Sequence, residues 1–195
     1  MRTQFIAWSA VLLVSGPVAA ATPRGYLDLY YIPSAKIEES APGFGSADDT
    51  GSGFGVKGMA PASDVLVFTG EYQAVDYDGG GNLDQMRVGA GVMGRRGGGL
   101  FVEYISMDDA VEADGLGLHL RFGDRTFYGQ IGYVSLQDDF EDNNGLELAA
   151  GFSARLGGNL GAFFDVRHTA LESEDSGIEV ELTDFRAGLR FIFPR

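Results

Sequence analysis

Two histidines and no cysteine leave this 195-residue chain little material for a transition-metal site or a thiol nucleophile. His119 sits between Leu118 and Leu120 on the polar side of an alternating run, where a hydrogen bond inside the protein is expected rather than catalysis. His168 shares parity with Phe164 and Val166, so it is expected on the apolar side of its segment. A Ser-His-acid mechanism needs a hydroxyl within reach of the imidazole. The residue after next, on the face of His168, is Ala170, which has no hydroxyl, and Thr169 points to the other face.

The acidic run Asp138-Asp139-Phe140-Glu141-Asp142-Asn143-Asn144-Gly145 invites a calcium reading. It fails the EF-hand spacing: with Asp139 first, Asn144 falls where glycine is needed and Ala150 where the bidentate glutamate belongs. Solvated loops, with loosely bound divalent cations beside them, are what such segments predict. Gly79-Gly80-Gly81 and Gly97-Gly98-Gly99 precede no helical pattern and imply no phosphate loop. No catalytic, cofactor or metal residue is assigned on this basis.

What does recur is a set of charges at alternate positions: Lys57, Glu71, Arg87, Glu103, His119, Arg121, Gln130, Glu147, Arg155, Asp165, Arg167, Arg186 and Arg190. Both signs are mixed and return in successive segments. Packed together they would pair, which would satisfy groups too costly to bury singly.

The elements carrying them are ten strand-like segments, at 25–34, 52–60, 65–76, 84–94, 99–108, 114–123, 126–136, 145–156, 160–171 and 179–193. In the third, Leu66, Phe68, Gly70, Tyr72 and Ala74 oppose Thr69, Glu71 and Gln73. In the sixth, Leu116, Leu118, Leu120 and Phe122 oppose Gly117, His119 and Arg121. The last sets Phe185, Ala187, Leu189, Phe191 and Phe193 against Arg186, Gly188 and Arg190, with Val180 and Leu182 on the other parity. That slip predicts a β-bulge near Thr183-Asp184 or a later strand start. Links alternate between short turns (Pro61-Ala62-Ser63-Asp64, Arg95-Arg96-Gly97-Gly98, Gly123-Asp124-Arg125, Gly157-Gly158-Asn159) and longer acidic loops.

Met1-Arg2, the apolar stretch Phe5 to Val14 and the small-residue run Val18-Ala19-Ala20-Ala21 read as a signal peptide over 1–21, cleaved before Thr22, leaving one domain over 22–195. No later stretch approaches the roughly 18 apolar residues of a spanning helix. With 28 acidic against 14 basic residues, nucleic acid is excluded as a partner.

Thirty glycines, 12% aromatics and an exported chain without disulfides favour a closed all-β fold, which has no unpaired edge. The expected fold is an antiparallel up-and-down transmembrane β-barrel of ten strands, with eight as the fallback. Its apolar face would meet lipid and its charged face would fill the lumen. A soluble periplasmic ligand-binding barrel would have the opposite polarity. Rings would form girdles at the rims: Tyr26, Phe101, Phe127, Phe191 and Phe193 at the turn end, and Tyr72, Tyr77 and Tyr104 nearer the loops.

With this alternation and the closing strand Phe185-Arg186-Ala187-Gly188-Leu189-Arg190-Phe191-Ile192-Phe193, the mature chain resembles small outer-membrane β-barrel proteins of Gram-negative bacteria, the porin-like, opacity and adhesin-type group. The resemblance implies outer-membrane localisation, contact with outer-membrane lipid and lipopolysaccharide, and recognition by the barrel assembly machinery through the last strand. In that family the strand ends in an aromatic residue; here Pro194-Arg195 follow Phe193. It implies a structural or surface-interaction role, with the lumen largely plugged by charged side chains and acidic loops at the cell surface. A narrow porin-like channel is the next alternative. Arg167-His168-Thr169-Ala170 with Glu179 or Glu181 also resembles the His-x-Ser and glutamate of outer-membrane lipid A deacylases, less its serine; no enzyme activity is expected.

Overall fold

The computed structural model describes residues 24–43, 45–94, 97–108, 112–124, 126–138 and 142–193. The leader over 1–21 lies outside them. Ten antiparallel strands follow in order: β1 Tyr26–Ala41, β2 Gly45–Pro61, β3 Leu66–Tyr77, β4 Asn82–Met93, β5 Gly99–Asp108, β6 Glu112–Gly123, β7 Phe127–Asp138, β8 Asp142–Gly157, β9 Leu160–Ser173 and β10 Glu179–Ile192. Each pairs with its sequence neighbours, and β10 returns to pair with β1, closing the barrel.

Strands β3 to β7 keep the 10 to 12 residues that suffice to cross a bilayer when tilted. β1, β2 and β8 are longer, at 16, 17 and 16 residues, and much of the segment expected to be acidic loop is paired strand. Alternation with an apolar outer face stops where that face would leave lipid, whereas backbone pairing does not depend on it. Thus Lys36 pairs with Thr50 and Glu38 with Asp48, on strands that continue with charged outer faces.

The slip in β10 has a different cause from the one expected. β10 runs against β9 in unbroken register from Glu179 to Phe191; the irregularity on this side of the barrel lies in β1, between Tyr31 and Ser34. Val180 and Leu182 face inward and pack into an apolar cluster with Ile32, Ala35, Val75, Ile105, Val134 and Leu171. The lumen itself turns apolar toward the acidic end. A smaller apolar group, Met59, Val67, Met93 and Phe101, with Tyr26 against it, lies toward the other end, where the chain termini are.

Lumen glycines make room for large neighbours. A Cβ on Gly132 would stand 2.1 Å from Nδ1 of His119, and one on Gly117 would stand 2.3 Å from its Nε2. The imidazole therefore lies in space that two glycines vacate, the small-against-large alternation of a narrow barrel interior.

At the terminal end the β6–β7 link is organised by Asp124, whose carboxylate accepts the N–H groups of Thr126 (2.7 Å) and Phe127 (2.9 Å). These bonds hold its pKa below the usual carboxylate value. A depressed folded-state pKa contributes stability above the ordinary carboxyl range and loses it as pH falls through the depressed value. Asp124→Ala is thus expected to lower the thermal midpoint near neutral pH, with the gap to wild type narrowing as the pH falls below the ordinary carboxylate range. Paired melts followed by circular dichroism check this.

Candidate functional site

The charged residues expected on one face do come together inside the barrel. Arg186 donates through Nη1 to Glu71 Oε1 at 2.7 Å, and its Nε stands 2.6 Å from Asp165 Oδ1 as an ion pair without hydrogen-bond geometry. Asp165 also receives Lys57 Nζ and the Tyr128 hydroxyl. Glu71 further accepts the Tyr30 hydroxyl at 2.8 Å and lies 3.3 Å from Arg167 Nη1.

Arg167 joins this group to a second through Nη2, which reaches Gln85 (2.7 Å), Gln73 (2.9 Å) and Asp184 (3.2 Å). Arg87 then meets Glu147 at 2.7 Å and lies 3.9 Å from Glu103. His119 stands 3.4 Å from Glu103 and 3.6 Å from Glu147 without making a hydrogen bond to either. The single hydrogen bond expected of it is replaced by a place between two carboxylates. Below, toward the termini, Arg190 clasps Asp28 with two bonds of 2.8 Å.

Two members of the expected set stand apart. Arg155 is exposed at the lumen mouth, where Nε donates to the Gly158 carbonyl at 2.9 Å. Arg121 donates no hydrogen bond among the described residues and stacks on Tyr128, 3.8 Å from the ring centroid. Gln73, Gln85 and Thr169 lie in the interior on the face their parity predicts, while Asp28, Tyr30, Tyr128 and Asp184 belong to the interior without having been expected there. Parity was the available signal: Asp184 shares a face with Arg186, and Asp28 with Tyr30.

The outer face is the reverse. Leu118 and Leu120 are 50% and 53% exposed, whereas their neighbour His119 is fully buried, and the same contrast runs round the barrel. Soluble monomers rarely leave continuous apolar surface of this extent in water. A soluble barrel with an apolar ligand cavity would have its leucines inside, so that alternative is overturned. The chain is a transmembrane β-barrel of the outer-membrane type.

Asp76, Asp84, Asp108 and Asp114 take over the outward positions of the transmembrane barrel's strands at the acidic end, marking where the lipid-facing belt stops. Three of the rings expected in its girdles face inward instead. Phe101 and Tyr77 are buried, and Tyr26 lies beneath Arg190, 4.2 Å from ring to guanidinium carbon. Each shares parity with lumen residues, and each helps to fill a barrel end. Phe127, Phe191 and Phe193 at one rim, and Tyr72 and Tyr104 nearer the other, do face outward.

His168 lies on the outer face, as expected, with Nδ1 2.9 Å from Thr183 Oγ1. Thr169 is buried in the lumen and donates to Glu147. Ala170 pairs with Glu181, so the deacylase-like positions are adjacent but carry no serine. In the acidic run, Asp139, Phe140 and Glu141 lie outside the described residues. Nearby, Asn144 donates to Glu174 at 2.8 Å and Asn143 to Asp138 at 3.3 Å. Among the described residues no group of three or more acidic or histidine side chains is arranged to hold a metal ion.

No family model and no curated protein matches the chain. Among solved structures it is similar to Neisserial surface protein A, at 15% identity and a TM-score of 0.44 over 87% of this chain and 97% of that one. It is similar to the outer membrane protease OmpT of Escherichia coli, at 8% identity and 0.48 over 90% and 99%. It is also similar to Ail, the attachment invasion locus protein of Yersinia pestis, at 14% identity and 0.38 over 88% and 100%.

Proposed function

We propose that the barrel serves as a structural or surface-interaction element of the outer membrane, closed to diffusion and presenting its acidic end at the cell surface. The observation that carries this is the layering of the lumen. A network of paired charges fills its middle, and the cluster of Ile32, Val75, Ile105, Val134 and Leu182 crosses it toward the acidic end. A hydrated ion would have to part buried ion pairs and then pass an apolar layer.

The acidic end carries Glu38, Glu39, Asp48, Asp49, Glu172, Glu174 and Glu179, with Lys36 held between Glu38 (2.8 Å) and Asp48 (3.8 Å). Such a rim would stand beside the phosphate groups of lipopolysaccharide, with divalent cations loosely shared between them. Entry of both termini from the same end suits assembly from the periplasm by the barrel assembly machinery.

A narrow channel is the second reading, favoured by a polar pocket of about 70 Å³ among Glu71, Arg87, Glu103 and Arg167. The two separate in planar bilayers. The closed reading expects no unitary conductance from folded protein, and steps appearing only when Ile105, Val134 and Leu182 are together replaced by serine. Regular steps from the wild-type barrel would sink it. Unheated and boiled samples are expected to migrate differently in SDS, and identical migration together with recovery in the soluble periplasmic fraction would end the membrane reading itself.

A further inference from the structure

Arg121 is set apart from the rest of the lumen's charges. Among the described residues every buried arginine and lysine meets a carboxylate, whereas the half-buried Arg121 offers its face to Tyr128, and its buried Nε has no partner there. Arg121 lines a pocket of about 220 Å³ at the terminal end of the lumen. The pocket's wall combines Tyr26, Met59, Met93 and Ile192 with the cations Arg24, Arg121 and Arg155. Asp124 is on the same wall, but its carboxylate is already engaged by the backbone of its own turn. In a chain with a formal net charge of −14, this mouth is therefore locally positive.

We propose that the pocket is a binding site for a small organic monoanion, a carboxylate carried on an apolar body, anchored by Arg121. A guanidinium whose face is stacked keeps its planar edge for a carboxylate, and stacking fixes the direction of that edge before the ligand arrives. Met59 and Met93 supply an adaptable apolar wall against which a ring or short chain of varied shape would pack. The pocket has room for about ten to fifteen non-hydrogen atoms and is lined by both arginines and apolar side chains, so the ligand is amphipathic. The site requires only the folded barrel and is independent of whether the lumen conducts.

The probe is 3-(4-fluorophenyl)propanoate, titrated into the refolded full-length mature barrel in detergent and followed by fluorine NMR, with empty micelles subtracted. The neutral 3-(4-fluorophenyl)propanamide is the comparator. Saturable binding of the carboxylate is expected, with the amide weaker by about tenfold or more, because a hydrogen bond to a charged group is lost. Arg121→Met, checked to remain heat-modifiable, is expected to weaken the carboxylate to the level of the amide. Met93→Trp, which fills the pocket and leaves every charge in place, is expected to abolish both. The proposal is overturned by equal affinity for acid and amide, by wild-type affinity in Arg121→Met, or by no saturation up to about 10 mM. Should Arg121→Met fail to fold, undiminished binding in Met93→Trp overturns it by itself.

Discussion

Replacing Arg186 with methionine is expected to destabilise the barrel by about 3–5 kcal/mol, the loss typical when one partner of a buried ion pair is removed. Arg186 touches two carboxylates from different strands, Glu71 on β3 and Asp165 on β9, and it is buried with them. Methionine would occupy much of the same volume, so the loss reports charge more than packing. Glu71 would keep Arg167 at 3.3 Å and the Tyr30 hydroxyl, and Asp165 would keep Lys57 and Tyr128. Neither would keep its shortest arginine contact.

Adding Glu71→Gln to Arg186→Met should recover part of the loss, because an uncompensated buried charge is then removed. Arg155→Met is the control. Its guanidinium is exposed and bonds only a turn carbonyl, so a change within about 0.5 kcal/mol is expected. The measurement is the denaturant midpoint by far-UV circular dichroism, since the sole tryptophan, Trp8, falls in the expected leader. Equal effects of Arg186→Met and Arg155→Met would mean that the lumen network does not hold the strands together.

Leu118→Arg is expected to cost about 2–4 kcal/mol when the barrel is unfolded from lipid vesicles, the depth-dependent penalty for a cation at the centre of a lipid-facing strand. Leu118 lies in the outward row of β6 between Leu116 and Leu120, while Asp114, in the same row, already stands at the edge of the belt. An arginine at position 116, nearer that edge, is expected to cost less, because its side chain reaches the headgroups. The prediction separates environments as well as residues. On a water-facing surface the same substitution would change stability by no more than about 0.5 kcal/mol. A midpoint unchanged in vesicles would therefore contradict the lipid-facing assignment of the outer face.

The strand count, the antiparallel order and the direction of most charged side chains in the lipid-facing belt were legible in the sequence because a strand has a strict two-residue period. Once Leu116, Leu118 and Leu120 are placed outside, His119 and Arg121 have no other face to occupy. That logic holds in β3 and β10 as well, where Glu71 and Arg186 come from opposite ends of the chain and meet at 2.7 Å. It weakens outside the belt. Along the continuations of β1 and β2, polar and small residues dominate both faces, Ile37 apart, so periodicity ends although pairing goes on.

What the amino-acid order determined by itself is thus the set of elements and which way each residue points, both properties of a single strand and its immediate neighbours. Only the closed barrel decided which charges become partners. Lys57 and Asp165, 108 positions apart, meet because closure and shear bring β2 and β9 across a lumen narrow enough for side chains to span. The same closure turned Val180, Leu182 and Phe101 from apparent slips and girdle rings into the apolar layers above and below the network. It also left Arg121 at the mouth, stacked on Tyr128 and with no hydrogen-bond partner for its Nε among the described residues.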